Sequence, residues 1–404
     1  MKKSNWLVLF IISALLLILS GCFSPYGADE TNITISLGDL GRVAVSSAEI
    51  NTLSYEIILD GPGGRRTETF SGTSTSIRVR PGTYNVMVLA IGNRPSDYDN
   101  DPSHAPLNFP ARMLRGWGCE KVTIQRGQDN PIPIKMATAT EVTTQQQLDK
   151  ALDQVLGTRE HIIVIKGSIT DLPASGSYTI SGRVTLVAEN ASTIDLSDAY
   201  FNIPNIADRL TLGKEGMGGI LTLDGDGFPT NYPLISVNGQ LFMNDGVVLQ
   251  GRNRNSGRGG GVALNGSEAS FTMNGGTISR NTVSSDGGGV LVDGNGTFNM
   301  NGGIIDGNTA TGSGGGVAVV NGSFTMNGGF ITGNRSGGWG HGVHMTVGIF
   351  TINSPVGRVN ISGNVTDGVG SGAGQLVVNP GATLNNNAGI AMEDINDGMA
   401  WGWY

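Results

Sequence analysis

Charge, cysteine and long apolar runs are all scarce in this chain, and each shortage excludes something. Charged residues are 14 % of 404 positions, with 25 Lys and Arg against 33 Asp and Glu and no basic run. Nucleic-acid recognition needs a basic footprint, so nucleic acid is not an expected partner. The only cysteines are Cys22 and Cys119. With Cys22 near the N-terminus given another role, Cys119 is left alone and no disulfide framework is possible. The sequence around Trp117-Gly118-Cys119 shows no evident activating base for a reactive thiol, so Cys119 reads as a buried single thiol. The longest apolar run, Trp6 to Leu19, is shorter than the ~20 residues of a spanning helix. Disorder does not follow, because hydrophobic residues reach 38 %. Glycine is abundant instead: 64 residues, against a usual share of ~7 %.

Residues 1–21 have the form of an export signal, with Lys2 and Lys3 ahead of the apolar run. The run ends in Leu19-Ser20-Gly21-Cys22, which resembles the bacterial lipobox. That resemblance implies lipidation of Cys22, which becomes the mature N-terminus, and a membrane partner through several acyl chains. Phe23 stands where an inner-membrane retention signal would have Asp, so the outer membrane is the expected site, surface-exposed or periplasmic. Residues 22–31 read as a tether.

Residues 32–136 alternate with period two, as in Ile33-Thr34-Ile35 and Ile132-Pro133-Ile134. Turn signals at Gly61-Pro62-Gly63-Gly64 and Pro81-Gly82 divide the strands. The expectation is a β-sandwich. The stretch Ile77 to Val86 resembles small immunoglobulin-like or prealbumin-like modules of bacterial surface proteins. A long irregular segment between Ile91 and Glu120 holds Asp97, Asp99 and Asp101. Alternate carboxylates can converge on Ca²⁺, but Pro102 stands where an EF-hand loop needs Gly and Asn108 where it needs Glu. A solvated acidic loop is the plainer reading.

Residues 137–143 read as a linker. A helix is expected over 144–156: Thr144 and Gln147 fit a capping box, and Leu148, Ala151, Leu152 and Val155 share one face. Placed just before Ile162-Ile163-Val164-Ile165, it would cap the open end of a stack.

That stack is declared by a returning phrase. Phe271-Thr-Met273-Asn274-Gly-Gly returns at Phe298-Asn-Met300-Asn301 and Phe324-Thr-Met326-Asn327, and in worn form at Phe350-Thr-Ile-Asn353. The spacing of 26 to 27 residues marks a solenoid. Two further strand-like pieces fill each period, one followed by Asn281, Asn308 or Asn334, the other centred on Val-x-Val. Phe and Met point inward, and the Asn residues fall at corners where their side chains can stack. Earlier copies at Val184, Leu210 and Leu241 and a last one at Leu384 give seven to eight coils. The fold class is therefore all-β, with a right-handed parallel β-helix over 144–404. A β-propeller is the alternative, but its blades need ~40 residues.

The F-x-x-N motif with Gly-Gly-x-Ile resembles the repeats of chlamydial polymorphic membrane proteins and of pectin-lyase-like passengers. The resemblance implies a surface-exposed β-helix and, loosely, adhesion.

Carbohydrate-active β-helices carry paired acids on one face. The clean repeats show none, and Asp224-Gly-Asp226-Gly is the best local pair, a turn first and a Ca²⁺ site second. His341 and His344, three apart on a strand, face opposite sides and read as one surface and one interior residue. No catalytic residue and no required cofactor is assigned. The reading is a non-enzymatic envelope protein that binds a protein or glycan. The alternatives are a polysaccharide lyase or hydrolase, and a structural spacer. Variable loops at 252–258, 335–341 and 354–358 are the expected sites of difference between copies.

Overall fold

The fold is taken from a computed structural model that describes residues 30–38, 50, 52–94, 109–128, 130–153, 155, 159–170, 176–214, 219–353, 359–366, 376–378 and 382–387. Cys22, the signal and most of the tether lie outside these residues, as do Asp97, Asp99, Asp101 and the loop 354–358.

The N-terminal strands are β1 (Thr31–Gly38), β2 (Ser54–Gly61), β3 (Gly64–Phe70), β4 (Ser74–Val79), β5 (Gly82–Asn93), β6 (Arg112–Ile124) and β7 (Asn130–Lys135). They form a three-stranded sheet, β4-β1-β7, and an antiparallel run, β3-β2-β5-β6. The alternating apolar residues of both groups meet in one core, with Ile33, Ile35 and Ile132 on one side and Tyr55, Ile57 and Val88 on the other.

Residues 137–143, expected as a linker, hold a strand. β8 (Ala137–Val142) pairs antiparallel with β6 and parallel with β9 (Glu160–Ile165). Its Thr- and Ala-rich sequence hid a strand with one face in each neighbour's apolar cluster: Ala139 packs with Trp117 and Ile162, and Val142 with Leu148 and Ile163. Between β8 and β9 lies helix α1 (Gln145–Asp153), so β8-α1-β9 is a crossover unit. Gln147 N–H donates to Thr144 Oγ1 at 3.3 Å, while Gln147 Oε1 accepts from Thr143 N–H at 2.8 Å, a capping box shifted by one residue. The helix buries Leu148, Ala151 and Leu152 in the same core as Ile163 and Ile165.

From β9 onward the chain winds as a right-handed parallel β-solenoid of about eight turns. Its Phe face extends the sheet already begun at β3, giving 14 strands in one continuous sheet. The Ile face and the Val face have eight strands each. A fourth sheet of six short strands, from Pro229–Thr230 to Val365–Thr366, was not foreseen. Its two-residue pieces are too short to show a period in sequence.

Stacking is in register. Phe271, Phe298, Phe324 and Phe350 are direct partners on adjacent strands, with ring centroids 4.7 to 4.8 Å apart and planes within 9°. That distance is the strand spacing itself, so the backbone ladder imposes face-to-face stacking. Met273, Met300 and Met326 form the next inward column, fully buried. Leu384 pairs with Phe350 in the last described coil.

Glycine closes the Val face from outside. A Cβ on Gly288 would sit 2.3 Å from the Gly315 carbonyl oxygen, and one on Gly315 2.4 Å from that of Arg335. Neighbouring glycines of the same turns fold over the outward column Ala263, Leu291 and Ala318 and make it a small second core: a Cβ on Gly259 would sit 2.8 Å from Ala263 Cβ, and one on Gly314 2.8 Å from Ala318 Cβ. This corrects the expectation for His341 and His344, which are both buried. His344 occupies that covered column, and His341 lies in the covering turn with Nδ1 2.9 Å from Ser336 Oγ.

Candidate functional site

Two asparagine columns run along the solenoid. The first is buried, comprising Asn281, Asn308, Asn334 and Asn364. Asn308 Oδ1 accepts from Asn281 N–H at 3.1 Å and Asn281 Nδ2 at 3.0 Å. Asn308 Nδ2 donates to the Ile278 carbonyl and to Asn334 Oδ1, both at 2.9 Å. The second column, on the surface, links Asn244, Asn274, Asn301, Asn327, Asn353 and Asn387 through Nδ2–H···Oδ1 bonds of 2.8 to 3.0 Å. The Asn-to-Asn bonds run toward the C-terminal coils in the buried column and toward the N-terminal coils in the surface one, and each buried amide also donates back to a carbonyl of the preceding coil. The buried column serves the stack alone, while the surface column leaves part of its hydrogen-bonding capacity facing outward.

The buried column begins at Arg252, which stands one coil before Asn281 in the same corner. Arg252 N–H donates to Asn281 Oδ1 at 3.0 Å. Its guanidinium, fully buried, reaches back to the carbonyls of Ser197 and Ala199, the second at 2.7 Å. Nε has no hydrogen-bond partner. Burial pushes this guanidinium down to about 10, against the opposing pull of Asp198.

Around Arg252 the structure gathers acids that the sequence left scattered. Asp195 and Asp224 are direct partners on adjacent strands of the Ile face, and Gln250 follows Asp224. Like charges directly opposite are unfavourable, so local bonds matter here. Asp195 Oδ1 accepts from Ser197 N–H at 3.0 Å, and Asp224 Oδ1 from Asp226 N–H at 2.9 Å. Gln250 Nε2 donates to Asp224 Oδ2 at 2.6 Å. Asp198 accepts from Thr230 Oγ1. Arg280 donates to Gln250 Oε1 from a left-handed backbone, φ 55°. Thus Asp224 and Asp226 sit in one turn, but Asp224 faces back to the chain and not toward a shared ion with Asp226. Among the described residues no three His, Cys, Asp or Glu side chains are grouped to hold a metal ion. Acids beside a buried cation can orient a polar ligand or serve acid–base chemistry.

Sequence reading missed Asp195 and Asp198, and placed Arg252 in a variable loop where the structure buries it in a corner. The signal was there: Arg252 occupies the corner position that holds Asn in the next four coils, and Asp-x-Ser at 195–197 matches Asp-x-Asp at 224–226. Trp339, 42 % exposed, sits in the variable turn at 335–341, its backbone N–H donating to Ser313 Oγ at 3.0 Å. Cys119 lies half-buried on β6 against the Trp117 cluster.

Fold and surface together define a parallel β-solenoid protein joined edge to edge to an antiparallel unit. Comparison with protein-family models, with curated proteins and with solved structures finds no match to this chain.

Proposed function

We propose that this chain is a lipid-anchored protein of the bacterial cell envelope, non-enzymatic, whose solenoid presents a long binding surface to a protein or glycan. Leu19-Ser20-Gly21-Cys22 behind an apolar run carries this reading. β1 begins at Thr31, so the tether from Phe23 to Glu30 spans roughly 28 Å at most and keeps the fold close to the anchor. In finer terms we read the N-terminal unit as a β-sandwich, which the core shared by its two sheets supports, and α1 as the cap of the first coil, which its buried face supports. The Phe-x-x-Asn coils are read as related to those of chlamydial polymorphic membrane proteins and pectin-lyase-like passengers. Labelled palmitate should enter the wild-type chain and not Cys22→Ala, and proteinase K should cut the chain on intact cells. No label, or protection until the outer membrane is opened, sinks anchoring or surface display respectively.

A second reading, a polysaccharide-active enzyme, is favoured by the gathering of Asp195, Asp198 and Asp224 around Arg252. Release of reducing or unsaturated ends from a polysaccharide panel, lost in Asp224→Ala/Asp226→Ala, would establish it. A panel with no product would remove it.

A further inference from the structure

The Phe face turns a regular uncharged lattice outward. Its outward positions read Ser-x-Thr-x-Asn at 270–274, Thr-x-Asn-x-Asn at 297–301, Ser-x-Thr-x-Asn at 323–327, Ile-x-Thr-x-Asn at 349–353 and Thr-x-Asn-x-Asn at 383–387. Fourteen of these fifteen side chains are Ser, Thr or Asn, none is charged and none is buried. Rungs repeat at the strand spacing, ~4.8 Å, and columns lie two residues apart, ~7 Å. The other faces differ. The Val face is covered by glycine turns, and the Ile face exposes Ile304 and Phe330 beside Asp306.

The lattice is also pre-ordered. The surface asparagines hold one another at 2.8 to 3.0 Å, and Thr297 Oγ1 lies 3.2 Å from Ser323 Oγ. An amide has two N–H donors and two acceptor sites, and the column uses one of each. The rest faces outward at a fixed pitch, so little side-chain entropy is lost when a ligand adds bonds.

We propose that this face binds a neutral, linear polysaccharide lying along the solenoid axis, an inference that rests on the binding-surface reading above. Three features select that occupant. From 270 to 387 the face is uncharged in a chain of net charge -8, and its nearest cation is Arg209, two rungs earlier. That matches a neutral ligand and gives little attraction to phosphate or carboxylate polymers. Over these five rungs it lacks the aromatic and arginine anchors that carry protein interfaces; Phe242, with Arg209 over its ring, stands one rung before Thr272 and bounds the lattice. Its pitch is close to the length of one sugar unit, so successive hydroxyls of an extended chain can meet successive rungs.

The test is affinity electrophoresis and pull-down of the mature chain from residue 22, with Cys22→Ser to keep it free of lipid, against a soluble neutral β-glucan, cellulose and chitin. Polygalacturonate is the anionic control. Wild type should be retained by a neutral polymer, and oligomers should bind more tightly as they lengthen to span the five rungs, on the order of 20 Å. Asn299→Lys and Thr325→Lys should each weaken retention at least tenfold. Thr277→Lys, outward on the Ile face, should not. Far-UV circular dichroism and melting temperature confirm that each variant folds. Unaltered retention of the lattice variants, preference for polygalacturonate, or no retention at all overturns the proposal. Uptake of the chain into growing ice without polysaccharide binding also overturns it, since ordered hydroxyls can template water. A palmitate-labelled, protease-accessible chain that binds no glycan sinks this inference alone; lattice-dependent binding by a chain that takes no label sinks the anchoring alone.

Discussion

Asn308→Ala and Asn301→Ala remove the same side chain from the same coil, yet their costs should differ severalfold. Truncating Asn308 leaves Asn281 N–H and one Asn281 amide N–H without their acceptor, and takes a donor from the Ile278 carbonyl, all in a fully buried corner. A buried donor left unsatisfied costs about 1–3 kcal/mol, so two stranded donors cost about 3–5 kcal/mol. Asn301 makes comparable bonds, 2.9 Å to Asn274 and 2.8 Å from Asn327, but it is exposed. Water replaces what its truncation removes, and the cost should be about 0.5 kcal/mol or less. Guanidinium titration followed by far-UV circular dichroism measures both, with the m-value checked for constancy. Native-state hydrogen exchange gives the local readout: the Asn281 amide should lose protection in Asn308→Ala and keep it in Asn301→Ala. Equal costs, or a larger cost at Asn301, would refute the claim that burial and not ladder membership sets the energy.

Three further outcomes are expected. His161 is buried between Thr138 and Thr140, with ring nitrogens 3.0 and 3.2 Å from their hydroxyls, and burial pushes it down to about 4 from an ordinary 6.5. The unfolded chain then binds the proton first, so stability is full above pH ~6.5 and falls by about 3 kcal/mol as pH drops to ~4; His161→Gln should flatten that slope, and an unchanged slope counts against it. Gly288→Ala should cost well over 3 kcal/mol, since its Cβ meets a backbone oxygen at 2.3 Å, whereas Gly307→Ala, at φ 64° with open space around it, should cost about 1–2 kcal/mol; denaturant midpoints rank the two. Arg252→Met should cost about 2–4 kcal/mol by stranding the Ser197 and Ala199 carbonyls, and a variant as stable as wild type would show that the guanidinium is dispensable.

The regular coils were the legible part of the fold. Phe271 and its copies announce their own neighbours, because a parallel in-register stack places residue i beside its equivalent one period on. The irregular parts were less legible for the same reason. β8 carries no apolar alternation of its own, since its Ala and Thr side chains are buried by neighbours distant in sequence. The four short strands after Arg254 show no period because two residues cannot. His341 and His344 read as one surface and one interior residue until the glycine turns were seen to leave both buried. Asp195, Asp198 and Arg252 were invisible as a group, because 29 residues separate Asp195 from Asp224 and 55 separate Ser197 from Arg252.

By itself, the sequence determined the period, the inward order of Phe, Met, Ile and Val, the capped helix and the lipobox-like tetrapeptide. These are local or strictly repeating, so spacing alone expresses them. The tertiary structure decided that one sheet of 14 strands unites both halves, that one asparagine column is buried while its twin is wet, and that acids collect over a buried arginine. Each depends on what covers a residue from another coil, and burial by a distant neighbour leaves no mark in the sequence at the residue it covers.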